Sequence, residues 1–173
     1  MLPAAPQPID TAFARNPCQV NGGLPLARDH TATGKRAAQE NVTMIRKISS
    51  AYVGGVVGAL IDSINIWILG KIGFTALIGV GMRPEFRPAW LYPRLVWGGI
   101  WGLLLLLPFM RGRTVQRGML MSLAPTAMVY FVMFPEMGKG IFGLGFGLLT
   151  PVLVLLLNFI WGIAASFWYE KGR

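Results

Sequence analysis

Asp62 is the residue with the clearest potential for chemistry, because it is the only charged side chain in the apolar stretch between Lys47 and Lys71. A carboxylate near the middle of a membrane-spanning helix costs about 2.5–3.5 kcal/mol to insert. We therefore expect it to face the interior of a helix bundle or a water-filled cavity. Two interpretations follow. Asp62 either binds a proton or a cation on a transport path, or it holds helices together through a hydrogen bond.

Helical spacing places small and polar residues on the same face as Asp62. Steps of three and four residues relate it to Gly55, Gly58, Ala59 and Asn65. Small residues on such a face allow a second helix to approach closely. The candidate partners of Asp62 are Asn158 in the last apolar stretch, and Tyr130 and Ser122 in the stretch before it. Asp62, Asn65 and Asn158 together form the predicted intramembrane polar site.

A basic and aromatic segment at 83–94, RPEFRPAWLYPR, is the second candidate site. Arg83, Arg87 and Arg94 are candidate contacts for lipid headgroups, because a guanidinium donates paired hydrogen bonds to phosphate oxygens. The simpler alternative is an interfacial anchor of the following helix, with Arg94 extending its charge toward the membrane surface.

No motif in the sequence indicates catalysis or a cofactor. A single cysteine and a single histidine, Cys18 and His30, exclude the usual zinc cages and an internal disulfide. The sequence contains no phosphate-binding loop, nucleophile elbow or zinc-peptidase motif. The segment GLGFG at 143–147 follows no strand, so it is not a dinucleotide loop. We predict no catalytic residue, no metal and no cofactor in a protein that is not an enzyme.

Four apolar stretches must position these residues. The intervals between charges predict membrane spans at about 48–70, 90–110, 118–135 and 148–169, and a helix needs roughly 20 residues to cross. Five consecutive leucines at 103–107 lack the alternation of a barrel strand. The predicted fold is an all-α, four-helix transmembrane bundle. The composition agrees, with 54% apolar and only 13% charged residues.

Two glycine-rich stretches, 72–82 and 140–147, are predicted on one side of the membrane. The first is too short to span, so a re-entrant or interfacial segment is expected. Interrupted apolar segments line the binding site of some transporters, and loop closure by flexible glycines is the alternative. Pro151 follows at a position where a first turn or a kink tolerates it.

Glycine pairs spaced by four residues predict close helix crossings, either within the chain or between copies of it. The pairs are Gly54/Gly58, Gly98/Gly102 and Gly143/Gly147.

Residues 1–43 differ from the rest of the chain, because they are rich in Pro, Ala, Gly, Asn and Thr and show no helical or strand period. Such a segment buries too little apolar area to offset its ordering entropy, so we predict a disordered polar tail. A methionine, a basic stretch and an apolar run follow from Met44, which is the layout of a signal anchor. Met44 is therefore a candidate start of the protein, with the transmembrane domain at 44–173. A cytoplasmic tail is the alternative.

Basic residues predict the orientation. With the N-terminus inside, nine Lys and Arg residues between 35 and 173 lie on the inner side and five lie on the outer side. This excess favours a multi-pass protein of the inner (plasma) membrane with both termini in the cytoplasm. The net charge of +9 is then an orientation signal. We predict no nucleic acid partner, since no basic binding motif accompanies the charge.

Three segments carry a family resemblance: AWLYPRLVWGGIWGLLLLLP at 89–108, RGMLMSLAPT at 117–126 and LLTPVLVLLLNFIWG at 148–162. Through them the stretch 51–169 resembles small four-span bacterial inner-membrane proteins that have no assigned activity. The resemblance implies a four-span bundle and assigns no cofactor or site residue.

The expected function is that of a non-enzymatic accessory or scaffold component of the bilayer, as a homo-oligomer or with another membrane protein. The alternative is a small-solute or ion transporter that uses Asp62. A third class, a lipid-modifying enzyme, would need acids or a nucleophile that the fold brings together at the interface.

Overall fold

The computed structural model describes residues 30–110 and 112–173, and within these ranges it contains helices and connecting segments but no strand. The elements in chain order are α1 (His30–Lys71), α2 (Phe74–Leu77), α3 (Pro88–Gly102) with a 3-10 turn (Leu103–Leu106), α4 (Thr114–Met128), a π-helical segment (Val129–Met133), α5 (Phe134–Glu136), a second 3-10 segment (Ile141–Phe146) and α6 (Thr150–Gly172). Four helical stretches are long and apolar enough to cross a membrane, namely Thr33–Lys71, Pro88–Leu106, Thr114–Glu136 and Thr150–Gly172. The predicted all-α, four-span fold is confirmed.

The first helix begins earlier than the composition indicated. The chain divides into residues 1–36 and 37–173, and the predicted tail at 1–29 lies outside the described residues. From His30 onward the chain is helical, so the prediction of disorder up to residue 43 is wrong for 30–43. The prediction failed because it relied on apolar periodicity, and residues 33–49 are all exposed. An exposed helix needs no apolar periodicity, and the segment GKRAAQE at 34–40 is rich in good helix formers.

The ends of the other spans follow from prolines. Helix α3 begins with Pro88 in its first turn, where a missing N–H costs nothing. The helical stretch stops at Leu106 rather than near residue 110, because Leu107 precedes Pro108 and takes an extended conformation with ψ 135°. Helix α6 has Pro151 in its first turn, which is one of the two positions expected for it.

Glycines set the packing order of the four long helices. A Cβ on Gly55 of α1 would lie 2.1 Å from the carbonyl oxygen of Gly98 on α3. A Cβ on Gly54 would lie 2.7 Å from a carbonyl oxygen of α6, and one on Gly118 of α4 would lie 2.4 Å from the carbonyl oxygen of Gly162 on α6. Helix α3 therefore packs on α1, α1 on α6, and α6 on α4. This order leaves α3 and α4 as the two outer members, and their inner faces are the two walls of a cleft.

The glycine pair Gly143/Gly147 does not mark a helix crossing, which corrects that prediction, because both residues lie in or beside the irregular segment before α6. This segment instead contacts the other glycine-rich stretch. The backbone N–H of Gly81 donates to the carbonyl oxygen of Phe146 at 2.7 Å, and a Cβ on Gly147 would lie 1.9 Å from the carbonyl oxygen of Gly79. The fold thus joins two stretches that the sequence predicted on one side.

Candidate functional site

Asp62 forms an ion pair with Arg94 of α3. Nη2 of Arg94 lies 2.5 Å from Oδ2 of Asp62, and Nε of Arg94 donates to the hydroxyl oxygen of Ser63 at 3.0 Å. The guanidinium carbon lies 4.9 Å from the ring centre of Trp90. The side chain of Asp62 is 13% exposed and that of Arg94 is 37% exposed. This pair explains how a carboxylate is accommodated within the first span, because a paired charge escapes most of the cost of an isolated one.

The partner of Asp62 is therefore Arg94, and the prediction of Asn158, Tyr130 or Ser122 as its hydrogen-bond partner is wrong. Asn158 and Ser122 donate to backbone carbonyl groups of their own helices, and Tyr130 donates to a carbonyl group of α6. Neutral donors on helices find such acceptors within one turn. Arg94 has the longer side chain and the opposite charge, so it reaches across to α1.

Asp62 and Arg94 lie in the wall of a cavity of about 830 Å³. Helices α3 and α4 supply its two sides and α1 and α6 supply its floor, with the segment 81–84 at one end. Asn158 also lines it, so the structure brings two of the three predicted polar residues to one cavity. Asn65 is partly buried, and the cavity lining does not include it.

The cavity lining combines a few charges with a large apolar surface. The charged members are two acids and two bases, namely Asp62, Glu136, Arg83 and Arg94. Most of the remaining lining is aromatic or aliphatic, including the rings of Trp90, Trp97, Trp101 and Trp161. This mixture is typical of sites for small molecules, where apolar walls supply the contact area and a few polar groups fix the orientation. Among the residues described, no group of three or more His, Cys, Asp and Glu side chains is placed to hold a metal ion.

Exposed residues on both sides of the cavity place its opening between α3 and α4. Trp97 of α3 is 52% exposed and Met133 of the π-helical segment is 47% exposed, and both residues line the cavity. The indole N–H of Trp161, on the floor, donates to the carbonyl oxygen of Gly55 at 3.0 Å. The floor is thus fixed by a buried hydrogen bond, while the two sides meet the outer surface of the bundle.

Irregular helix segments concentrate on the two sides of the cavity. Pro93 lies within α3 and Pro125 lies within α4, and both line the cavity. A proline inside a helix removes a hydrogen bond and favours a bend. The π-helical segment Val129–Met133 begins four residues after Pro125, and such segments are frequent at functional sites. The two sides therefore have weaker backbone bonding than a regular helix.

The three arginines of the predicted headgroup site have different surroundings and do not form one phosphate site. Arg94 points to Asp62 rather than to the membrane surface, which corrects that expectation. Arg87 pairs with Glu85, and both side chains are about two-thirds exposed or more, at 72% and 68%. Arg83 is exposed and lines the cavity. Arg83 and Arg87 thus keep the exposure that a headgroup contact needs.

A second charged cluster, which the sequence did not predict, connects the end of α3, the start of α4 and the end of α6. Arg117 at the start of α4 is only 2% exposed, and its Nη1 lies 3.1 Å from Oε1 of Glu170. Its Nη2 donates to the carbonyl oxygens of Leu105 and, at 3.2 Å, of Leu107. Arg173 pairs with the other carboxylate oxygen of Glu170 at 2.5 Å. Arg117 therefore links the end of α3 to α4 and α6.

In the sequence Arg117 closes a short basic segment at 111–117, and Glu170 follows the last apolar span. The one available signal was that each is a charge at the edge of an apolar span, on the same predicted side of the membrane. Such a signal does not select this pair over Arg113 or Arg46, because the choice depends on how the helices are rotated. The cluster closes the α3–α4 cleft at the end that Arg117 occupies.

The fold and the site together define a class: an all-helical protein with four helices suited to crossing a membrane and an ion pair in the wall of a cavity between them. Comparisons with known proteins do not narrow this class, because no protein-family model, no curated protein and no solved structure matches the chain.

Proposed function

We propose that this protein is a non-enzymatic membrane carrier that binds a small polar solute in the cavity between α3 and α4. The supporting observation is the Asp62–Arg94 ion pair in the wall of a cavity of about 830 Å³. This volume lies within the range of about 300–1,000 Å³ that ligand pockets occupy. The cavity therefore favours the transporter alternative over the accessory or scaffold role.

The irregular backbone of the cavity sides supports a carrier rather than a static binding protein. A carrier must open its site to each side of the membrane in turn, by rocking or gating of some helices against others around a fixed site. Pro93, Pro125 and the π-helical segment Val129–Met133 supply positions for bending. The floor, held by the glycine contacts between α1 and α6, is the more rigid part.

The test is whether water reaches the cavity from both sides of the membrane. In a variant with Cys18→Ser, we would introduce Asn158→Cys on the cavity floor and, as a matched control, Leu156→Cys on the same helix. Leu156 is 54% exposed on the outer face of the bundle, outside the cavity lining. A membrane-impermeant maleimide is expected to label the cysteine at 158 in vesicles of either orientation and to leave the one at 156 unlabelled. If the cysteine at 158 stays unlabelled in vesicles of one or both orientations, the carrier proposal is refuted.

The proposed location is the inner (plasma) membrane, with both termini in the cytoplasm. The excess of basic residues at the termini and at 111–117 supports this orientation, and the resemblance to bacterial inner-membrane proteins supports the location. In intact cells, Glu85→Cys is expected to react with the impermeant maleimide and Gly172→Cys is not. The reverse pattern would overturn the orientation.

An accessory role is a second candidate, because part of α1 is an exposed surface suited to a partner. Four apolar side chains there are 43–63% exposed, namely Val42, Met44, Ile45 and Ile48. The partner would be a second copy of the chain or another membrane protein. Gentle solubilisation and co-purification test this: a partner that is lost in Ile45→Glu supports the role, and a clean monomer contradicts it.

A further inference from the structure

The cavity carries information about the chemistry of its ligand. We infer that the ligand is a zwitterion with a primary ammonium group and an acidic group beside an apolar part, an inference that rests on the carrier function proposed above. Three features support it, namely a carboxylate oxygen without a donor, a guanidinium with donors to spare, and a balance of charge in the lining.

The first feature is Oδ1 of Asp62, which is buried and has no hydrogen-bond partner in the described part of the chain. Its neighbour Oδ2 accepts from Arg94. A buried acceptor without a donor is costly, and an ionised carboxylate oxygen is the strongest acceptor among side chains. An ammonium group has three N–H donors and the opposite charge, so it satisfies Oδ1 without displacing Arg94.

The second feature is the guanidinium of Arg94. It has five N–H donors, and the two hydrogen bonds described here go to Asp62 and Ser63. Its side chain is 37% exposed and lines the cavity. A carboxylate or phosphate is the ligand group that a guanidinium binds best. Because Arg94 and Asp62 are in direct contact, the two charges of the ligand must be only a few bonds apart.

The third feature is the charge balance of the cavity. In the interior part of the lining Asp62 is balanced by Arg94, and the exposed Glu136 is balanced by the exposed Arg83, so the lining is neutral overall. A ligand with a net charge would leave an uncompensated charge between membrane helices, which is costly in a low dielectric. A zwitterion leaves the site neutral and still uses both members of the ion pair.

The apolar part of the ligand follows from the rest of the lining. Four tryptophans line the cavity, namely Trp90, Trp97, Trp101 and Trp161. The cavity volume of about 830 Å³ also far exceeds the volume that the two charged groups of the ligand would fill. The opening between α3 and α4 lies on the outer surface of the bundle. The same chemistry therefore has two sources: a free amino acid with an apolar side chain, and the headgroup and chains of an aminophospholipid.

The experiment uses the full chain with Cys18→Ser and Asn158→Cys, and it measures protection from the maleimide. Leucine is compared with N,N,N-trimethylleucine, and phosphatidylethanolamine vesicles are compared with phosphatidylcholine vesicles. Both members of each pair carry a positively charged nitrogen, and the methylated member lacks the N–H donors and is bulkier at that nitrogen. Since a hydrogen bond to a charged group corresponds to about tenfold or more in affinity, the primary amine should protect at least about tenfold better than its methylated partner.

Two further variants test the role of Asp62. Asp62→Asn keeps the shape of the side chain but removes its charge, and it should weaken protection by at least about tenfold. Glu85→Gln alters an exposed carboxylate outside the lining and should leave protection unchanged. If Asp62→Asn does not fold, the comparison of amine with methylated amine still decides, because it uses an intact Asp62.

The outcomes separate the two proposals. Protection by leucine alone supports a free solute, and protection by phosphatidylethanolamine alone supports a lipid headgroup. Equal protection by amine and methylated amine, or no protection while position 158 still reacts with the maleimide, overturns the zwitterion and leaves the carrier standing. A position 158 that never reacts overturns both.

Discussion

Removing the positive charge of Arg117 should destabilise the bundle more than any other single charge deletion near its ends. The change is Arg117→Met, which keeps an unbranched side chain in the buried space. Arg117 is 2% exposed, and its guanidinium contacts the Glu170 carboxylate and the carbonyl groups of Leu105 and Leu107. Its guanidinium carbon also lies 4.9 Å from the ring centre of Tyr169.

The magnitude follows from these contacts. Removing one member of a buried ion pair costs about 3–5 kcal/mol when the other is left unpaired. Glu170 is not left unpaired, because Arg173 stays 2.5 Å from its second oxygen and the Glu170 side chain is 21% exposed. The carbonyl groups do lose their donor, and an unsatisfied buried acceptor costs about 1–3 kcal/mol. We expect a loss of about 3 kcal/mol in the free energy of unfolding.

The assay is unfolding in mixed micelles with rising SDS, followed by helical circular dichroism. The matched control is Arg113→Met, because Arg113 is an exposed arginine in the same connection, and within the described residues its side chain bonds to Gln116. Surface substitutions of this kind change stability by about 0.5 kcal/mol or less. The double variant Arg117→Met/Glu170→Gln should lose less than the sum of its single variants, because the two side chains share one interaction.

Two results would refute this reasoning. One is an equal effect of Arg117→Met and Arg113→Met, which would mean that the buried contacts of Arg117 add no stability. The other is strict additivity of Arg117→Met and Glu170→Gln, which would mean that their ion pair is energetically silent.

Two predictions concern close backbone contacts. Gly118→Ala should lower the free energy of unfolding by about 1–3 kcal/mol, because its Cβ would lie 2.4 Å from a carbonyl oxygen of α6. The control is Gly34→Ala, which has nothing within 4 Å of its Cβ and should leave the free energy of unfolding unchanged or raise it. Equal losses in the two variants would contradict the packing. Gly147→Ala should accelerate amide exchange at 79–82, since its Cβ would lie 1.9 Å from a carbonyl oxygen there. Gly138→Ala also replaces a glycine with positive φ, at 69° against 140° for Gly147, but it has open space around its Cβ. It should therefore leave exchange at 79–82 unchanged, and unchanged exchange in both variants would contradict the contact.

Part of the site was predictable from the sequence. Asp62 was expected to face inward because an isolated carboxylate is costly in lipid, and its ion pair with Arg94 satisfies that requirement. The partner was not predictable. Arg94 lies near the start of its span, where an arginine also reaches the membrane surface. The close approach of Gly55 and Gly98 brings α3 against α1, and this contact selects the inward direction.

The exposed start of α1 is a helix that the amino-acid composition and the apolar periodicity of the segment did not predict. Residues 33–49 are all exposed, so their helix depends on local propensity and on continuity with the span that follows. Apolar periodicity reports burial and therefore gives no signal there.

The sequence by itself determined the number of spans and the presence of one acid that must face inward, because these depend on length and composition. The tertiary structure decided that Asp62 pairs with Arg94, that Arg117 pairs with Glu170, and that a cavity lies between α3 and α4. These features depend on how each helix is rotated and which glycines let the backbones approach. That choice is made by the packing of residues distant in sequence, so no single segment encodes it.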